Sequence, residues 1–108
     1  MANTFKNAHS VSVGTAYATT YASPSSTTTV VLGMSLCNKT TGGITVDVQF
    51  RDSASTAVKM LTSVDIPAGS TLEVLAGQKY ILEATDDIQV KSSAANSLDV
   101  VMGVMEIT

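Results

Sequence analysis

Apolar and polar residues alternate with a period of two along most of the chain. The clearest example is Gly43–Arg51, in which the residues at positions 44, 46, 48 and 50 are apolar and those between them are polar. Successive side chains of a strand point to opposite sides, so this segment predicts a half-buried β-strand. A helical period is not found in any stretch of eleven or more residues, and we therefore expect few helices or none.

A second alternating segment, Thr27–Cys37, precedes the first. It places Val30, Leu32, Met34 and Leu36 on one face and smaller residues on the other. The connecting residues 38–43 are of types that tolerate a positive φ angle, which predicts an antiparallel hairpin between these two strands.

Shorter alternating runs separated by turn residues predict six further strands. They are Ser10–Thr19, Val58–Ile66, Thr71–Leu75, Lys79–Glu83, Asp87–Ser92 and Leu98–Ile107. Turns are predicted at residues 66–70, which hold a proline and a glycine, at residues 75–78, and before the last two strands. Seven or eight short strands at this spacing predict an all-β fold, either an antiparallel β-sandwich or a jelly-roll-like barrel, formed by residues 1–108 as a single domain.

Four residues are candidates for contacts with other protein surfaces. Phe5 is the only apolar residue of note in the polar segment 1–8, which we interpret either as an N-terminal arm that docks on an adjacent subunit or as a frayed terminus. Tyr21 lies in residues 18–26, a predicted long loop that could reach a neighbour. Val101 and Met105 belong to the last strand, whose two faces are both apolar, as expected of a central strand. Its second face is covered either by another subunit or within the same sandwich, where Gly103 would permit a close approach.

Composition excludes several classes of protein. A chain of 108 residues with one cysteine, Cys37, forms no internal disulfide, and its start lacks the pattern of a secretory signal. The charged fraction is 14%, the net charge is -3 and the six basic residues are scattered, which disfavours nucleic-acid binding. The longest apolar stretch, at residues 100–105, is too short for a membrane helix. Ser and Thr make up roughly a quarter of the chain, more than usual; they either populate outward strand faces or form a low-charge contact surface.

Residues for catalysis or metal binding are scarce. His9 is the only histidine and Cys37 the only cysteine, so neither a nucleophile with its base nor a four-ligand zinc site is available. Asp86 and Asp87 form the only acidic pair, which is more typical of a turn cap than of a calcium site. The glycines do not form a phosphate-binding loop. We therefore expect a protein that is not an enzyme and that has no catalytic residues, cofactor, metal or small-molecule substrate.

The second half of the chain resembles small accessory structural proteins of tailed bacteriophage virions. The resemblance covers residues 64–107: the proline-glycine turn Pro67-Ala68-Gly69, the Leu72-Glu73 segment, the Asp87-Ile88 strand, a Ser/Ala-rich turn and the terminal Met105-Glu106-Ile107 strand. It implies a virion protein assembled in the bacterial cytoplasm, with partners that are other copies of itself in a trimer or ring and other virion proteins such as the major capsid, neck or tail proteins.

The resemblance implies a head decoration or cement protein on the capsid exterior, or alternatively an accessory protein of the neck or tail. A second alternative is a module that binds a receptor or glycan, for which Tyr21 and the acidic pair are the only candidate residues.

Overall fold

The structure is a computed structural model that describes residues 3–75 and 78–108. These residues form nine strands and no helix, so no helix in this part of the chain is long and apolar enough to cross a membrane. The strands are β1 (Asn3–Val13), β2 (Ala18–Ala22), β3 (Thr28–Asn38), β4 (Ile44–Arg51), β5 (Ala57–Ile66), β6 (Thr71–Glu73), β7 (Tyr80–Leu82), β8 (Asp87–Ser92) and β9 (Leu98–Ile107). The all-β prediction is confirmed.

The strands form two antiparallel sheets packed face to face. The front sheet has the order β1-β9-β3, with β6 and β7 both paired to the far side of β3, and the back sheet has the order β2-β8-β4-β5. Strands β6 and β7 both pair with β3 and together occupy one edge position. Each sheet then has four strand positions, and the chain crosses repeatedly from one sheet to the other. This strand order is that of a jelly roll, but the two sheets stay separate and do not close into a barrel, so the β-sandwich is the predicted architecture that is confirmed.

The core lies between the two sheets and is built from the inward residues of alternating strands. Val46 and Val48 of the back sheet and Leu36 and Val104 of the front sheet are fully buried. Burying each such side chain stabilises the fold by roughly 1.5–3 kcal/mol. The complete core consists of Val13, Val31, Met34, Leu36, Ile44, Val46, Val48, Ile66, Leu75, Leu82, Ile88, Val90, Leu98, Val100, Met102 and Val104.

The predicted hairpin between the strands now called β3 and β4 is wrong. The two strands belong to different sheets, and the residues between them cross from front to back. The buried side chain of Asn38 holds this corner: its Nδ2 donates to the carbonyl oxygens of Gly42 at 2.9 Å and Ile66 at 3.0 Å. Its Oδ1 accepts from the backbone nitrogen of Thr40 at 2.9 Å. A connection that crosses from one sheet to the other needs turn-forming residues just as a hairpin does. The composition of residues 38–43 therefore did not distinguish the two kinds of connection.

The predicted apolar face of β3 is also partly wrong. A register shift between Val31 and Gly33 interrupts the pairing with β9. Val31 is buried and Leu32 is 38% exposed, and Val30 points to the outer side of the sheet. A β-bulge changes which side chains face inward, and the alternation of apolar residues did not show where it falls.

Two predictions in the first quarter of the chain are wrong. A strand over Ser10–Thr19 is not formed, because β1 ends at Val13 after a register shift that begins at Ser10. The predicted loop from residue 18 contains β2, which pairs with β8. Residues 3–8, which were set apart as an arm or a frayed terminus, are part of β1 and pair with β9 from Asn3 opposite Ile107 onward. Met1 and Ala2 lie outside the described residues, as do Ala76 and Gly77 of the predicted reversal at 75–78.

Candidate interaction surface

The outer face of the front sheet carries an unbroken row of apolar side chains. Phe5 on β1 lies opposite Met105 on β9. Met105 in turn lies opposite Val30 on β3, and Val30 lies opposite Ile81 on β7. Opposed residues of antiparallel strands share a face of the sheet. Phe5 and Ile81 at the two ends are 72% and 55% exposed, so this apolar row spans the full width of the sheet.

Two glycines lie side by side in the next row. Gly33 on β3 is opposite Gly103 on β9, and a Cβ atom added to either would meet nothing within 4 Å. Glycine inside a strand costs roughly 0.5–1 kcal/mol relative to alanine, and it is typical where another backbone approaches closely. No backbone of residues 3–75 and 78–108 makes such an approach on this face. We call the shallow depression that the pair creates the glycine notch.

Beyond the notch, the face becomes mixed in polarity. Val101 on β9 is 51% exposed and lies between His9 on β1 and Ser35 on β3. Charged side chains on this face, Glu73 and Asp99, lie towards this end of the sheet. The three rows that β1, β9 and β3 form at the other end, which include the apolar row and the notch, carry no charged side chain.

The last strand is central, as predicted, because β9 pairs with β1 on one side and β3 on the other. Its inward residues, such as Val100 and Met102, are buried in the core. Its outward residues are not covered by another layer of the described part of the chain. Of the two interpretations of this apolar second face, burial within the same sandwich is therefore wrong, because Val101 is half exposed and the space above Gly103 is open.

The outer face of the back sheet has the opposite character. Across its four strands runs a chain of hydrogen bonds: Lys59 Nζ donates to Gln49 Oε1 at 2.9 Å, Gln49 Nε2 to Gln89 Oε1 at 2.7 Å, and Gln89 Nε2 to Thr19 Oγ1 at 3.1 Å. The Lys59 ammonium also lies 4.9 Å from the ring centre of Tyr17. Polar groups on this face thus satisfy one another. The sandwich has one apolar and one polar outer face.

Tyr21 does not share the surface of the other three candidate residues. Its hydroxyl donates to Oε2 of Glu106 at 2.5 Å, across the gap between the sheets, and lies 3.0 Å from Oγ1 of Thr29. Lys6 pairs with the second carboxylate oxygen at 3.0 Å. The hydrogen bonds from Tyr21 and Lys6 lower the pKa of Glu106. Burial, together with the Glu106 hydrogen bond, raises the pKa of Tyr21 to about 12.

The acidic pair is engaged by other groups of the chain. Asp86 Oδ2 accepts from the backbone nitrogen of Glu83 at 2.8 Å, as expected of a turn cap. Asp87 forms a two-pronged ion pair with Arg51, with the shorter contact from Nη2 to Oδ2 at 2.7 Å. Residues 3–75 and 78–108 contain no group of three or more His, Cys, Asp or Glu side chains placed to hold a metal ion.

An apolar groove lies at the edge of the sandwich where β5 of the back sheet passes β7 of the front sheet. Its volume is about 370 Å³. Val58, Tyr80 and Ile81 on its rim are 54%, 39% and 55% exposed. We call it the edge groove; it is lined by Phe50, Val58, Lys59, Met60, Tyr80 and Ile81.

Sequence reasoning found three residues of the apolar face, Phe5, Val101 and Met105, and missed Val30, Ile81 and Gly33. The first group stands out as apolar residues in a polar segment or on a strand with two apolar faces. The alternation predicts Val30 on the same face as Leu32, Met34 and Leu36, because the β-bulge between Val31 and Gly33 leaves no signal in the sequence. Gly33 could not be identified from the sequence, because its place on this surface depends on the strand register that pairs it with Gly103.

Neither a protein-family model nor a curated protein sequence matches the chain. Among solved structures, it is similar to a chain of the Bacillus endospore appendages that form a novel family of disulfide-linked pili, with a TM-score of 0.59, 15% identity and coverage of 98% of this chain and 88% of that chain.

It is also similar to a chain in the acidic stable capsid of Helicobacter pylori bacteriophage KHP30, with a TM-score of 0.58, 14% identity and coverage of 100% and 89%. A chain of the cyanophage Pam1 capsid asymmetric unit gives a TM-score of 0.50, 16% identity and coverage of 96% and 84%. At such low identity these similarities show a shared fold.

Proposed function

We propose that this protein is a non-enzymatic structural component of a tailed-phage virion, which binds the capsid exterior as a decoration or cement protein. The contact is centred on β9, with Val101 and Met105 on either side of the glycine notch and Phe5 at its margin. It is a contact between proteins and involves no cofactor, nucleic acid or membrane.

The observation that carries the proposal is the contrast between the two outer faces. An uncharged apolar row beside an empty glycine notch is unfavourable in water and favourable under a second protein surface, since charged residues are depleted from interface cores. The strands β1, β9 and β3, each ten or eleven residues long, and the three-residue strands β6 and β7 along the far edge together present a face of roughly 600 Å² at a strand spacing of about 4.8 Å. Each partner of a stable interface contributes about 800 Å², so this face supplies most of one.

Two further findings support a virion as the location. The fold is shared with chains of two phage capsids, and jelly rolls are common in capsid proteins. The strand and turn pattern of the second half of the chain resembles accessory virion proteins. The residues available for a glycan-binding module are less favourable, because Tyr21 and the acidic pair are held by hydrogen bonds within the chain.

Co-sedimentation with purified capsids that lack accessory proteins tests the proposal. We expect the wild-type protein to sediment with the capsids and Val101→Asp to lose at least tenfold in affinity, because it places a charge at the centre of the contact. Thr62→Asp introduces the same side chain on exposed β5 of the back sheet and is the matched control, with binding unchanged.

Thermal unfolding of both variants checks that the fold is retained. Binding to tail-less or neck-containing particles but not to heads would favour the neck or tail alternative. Failure to sediment with any of these particles would refute a virion role, and equal binding by the two variants would refute the proposed surface.

A further inference from the structure

The edge groove is an apolar recess with no occupant among the described residues. Phe50 and Met60, which line it, are half-buried, while Val58 and Ile81 are more than half exposed. Its only charged lining group, the Lys59 ammonium, already donates to Tyr17 Oη and Gln49 Oε1, both at 2.9 Å. The groove is therefore suited to an apolar side chain from a neutral segment.

Such a side chain is present at the opposite edge of the same molecule. Phe5 on β1 is 72% exposed, the highest value among the large apolar residues of the described chain, and it is absent from the set that packs on the core. Its neighbours on the same strand face, Asn3 and Asn7, are uncharged. A phenylalanine ring that stays exposed to water on an edge strand does not gain the stabilisation that burial of its large apolar surface would give.

The ring and the groove lie at the same height along the strands. Phe5 begins the apolar row on β1, and Ile81, which lines the groove, ends it on β7. The two strands are separated by three strand spacings, roughly 14 Å. A second molecule placed beside the first in the same orientation would bring its Phe5 to the groove of the first without a shift along the strand axis.

Strand direction favours the same arrangement. The front sheet is antiparallel throughout and four strands wide at this level, so β1 and β7 run in opposite directions. In a side-by-side pair, the β1 edge of one molecule would therefore approach the β7 edge of the next as an antiparallel neighbour. Both strands lie at the ends of their sheet, where no further strand of the described residues pairs with them, and edge strands are ready templates for pairing with another chain.

The geometry points to a head-to-tail self-association in which Phe5 of one copy occupies the edge groove of the next copy. Each molecule uses two different surfaces, so the contact is heterologous and repeats until it closes as a ring or extends as a filament. Phe5 and Ile81 lie at the two margins of the proposed capsid-binding face, but self-association is measured without capsids, so either proposal can fail alone.

Mixing of two complementary variants tests this contact. Phe5→Asp removes the inserted side chain and leaves the groove intact, and Ile81→Asp does the reverse; Val58→Asp is a second groove variant on the other sheet. Mass measurement by light scattering during size-exclusion chromatography gives the state of each. We expect wild-type protein to assemble, each variant to be monomeric, and an equimolar mixture of Phe5→Asp with Ile81→Asp to form a dimer that grows no further.

Val11→Asp is the matched control, because Val11 is a 64% exposed apolar residue on the same strand as Phe5. It should assemble like the wild type, and circular dichroism should show unchanged strand content in every variant. A monomeric wild type at high micromolar concentration would overturn the inference. So would variants that still assemble, or a mixture of the two monomers that does not pair.

Discussion

Replacing Gly103 by alanine should strengthen the isolated protein and weaken its binding to the capsid. The added Cβ meets no atom within 4 Å and the backbone there is not in the left-handed region. The unfolded chain loses conformational freedom while the folded chain gains no clash, so we expect a gain of roughly 0.5–1 kcal/mol. For a domain near 100 residues, 1 kcal/mol raises Tm by about 4–8 °C.

Urea unfolding of Gly103→Ala and Gly33→Ala, followed by the capsid co-sedimentation described above, measures the two effects. The matched control is Gly69→Ala, the same change at a residue with a φ angle of 68°. There the new side chain is forced into the left-handed region, and stability should fall by about 1 kcal/mol. A methyl group forced into a packed contact costs about 1–3 kcal/mol, so capsid affinity of the notch variants should fall by about fivefold or more.

The two measurements refute different parts of the reasoning. If Gly103→Ala and Gly33→Ala destabilise the isolated protein, the chain itself requires glycine at these positions and the notch says nothing about a partner. If both variants are stabilised and bind capsids as tightly as the wild type, no partner surface enters the notch.

Two further changes test the interior. Tyr21→Phe should lower stability at neutral pH by about 1–3 kcal/mol in urea unfolding, because the buried Glu106 carboxylate loses a donor. The pKa of Glu106 is lowered in the folded state, so the stability that Glu106 contributes is present above its unfolded pKa and is lost as pH falls through the folded pKa. The pKa of Tyr21 is raised, so the stability that Tyr21 contributes is present below pH 10 and is lost as pH rises through about 12. A pH–stability profile of Tyr21→Phe that parallels the wild type at both extremes would contradict this. Asn38→Ala should cost about 3 kcal/mol by leaving buried backbone groups unpaired, whereas exposed Asn7→Ala should change stability by less than about 0.5 kcal/mol; equal effects would show that the corner does not depend on Asn38.

The strands that could be predicted well are those in which one face is buried and the ends carry turn residues. The predicted bounds of β8 and β9 coincide with the structure, those of β3 differ by one residue at each end, and those of β4 and β5 differ by one residue at the start only. In these strands, burial of alternate aliphatic side chains contributes most of the stabilising free energy. The positions of those side chains can be read from the sequence as a period of two.

Strands that depend on long-range partners could not be predicted in the same way. β1 from Asn3 onward and β2 are rich in polar residues and are ordered by pairing with β9 and β8. The hydroxyl of Tyr21 finds its partner, Glu106, at a distance of 85 residues along the chain. A charge that is compensated so far away leaves no local pattern.

The alternation of apolar residues by itself predicted an all-β fold with few helices or none, either a sandwich or a jelly-roll-like barrel, and the described residues confirm the sandwich. Tertiary structure alone decided which strands share a sheet, that Val30 turns outward at a bulge, and that two glycines 70 residues apart lie side by side. Burial is a property of single residues and leaves a local pattern, whereas register and face are relations between distant strands.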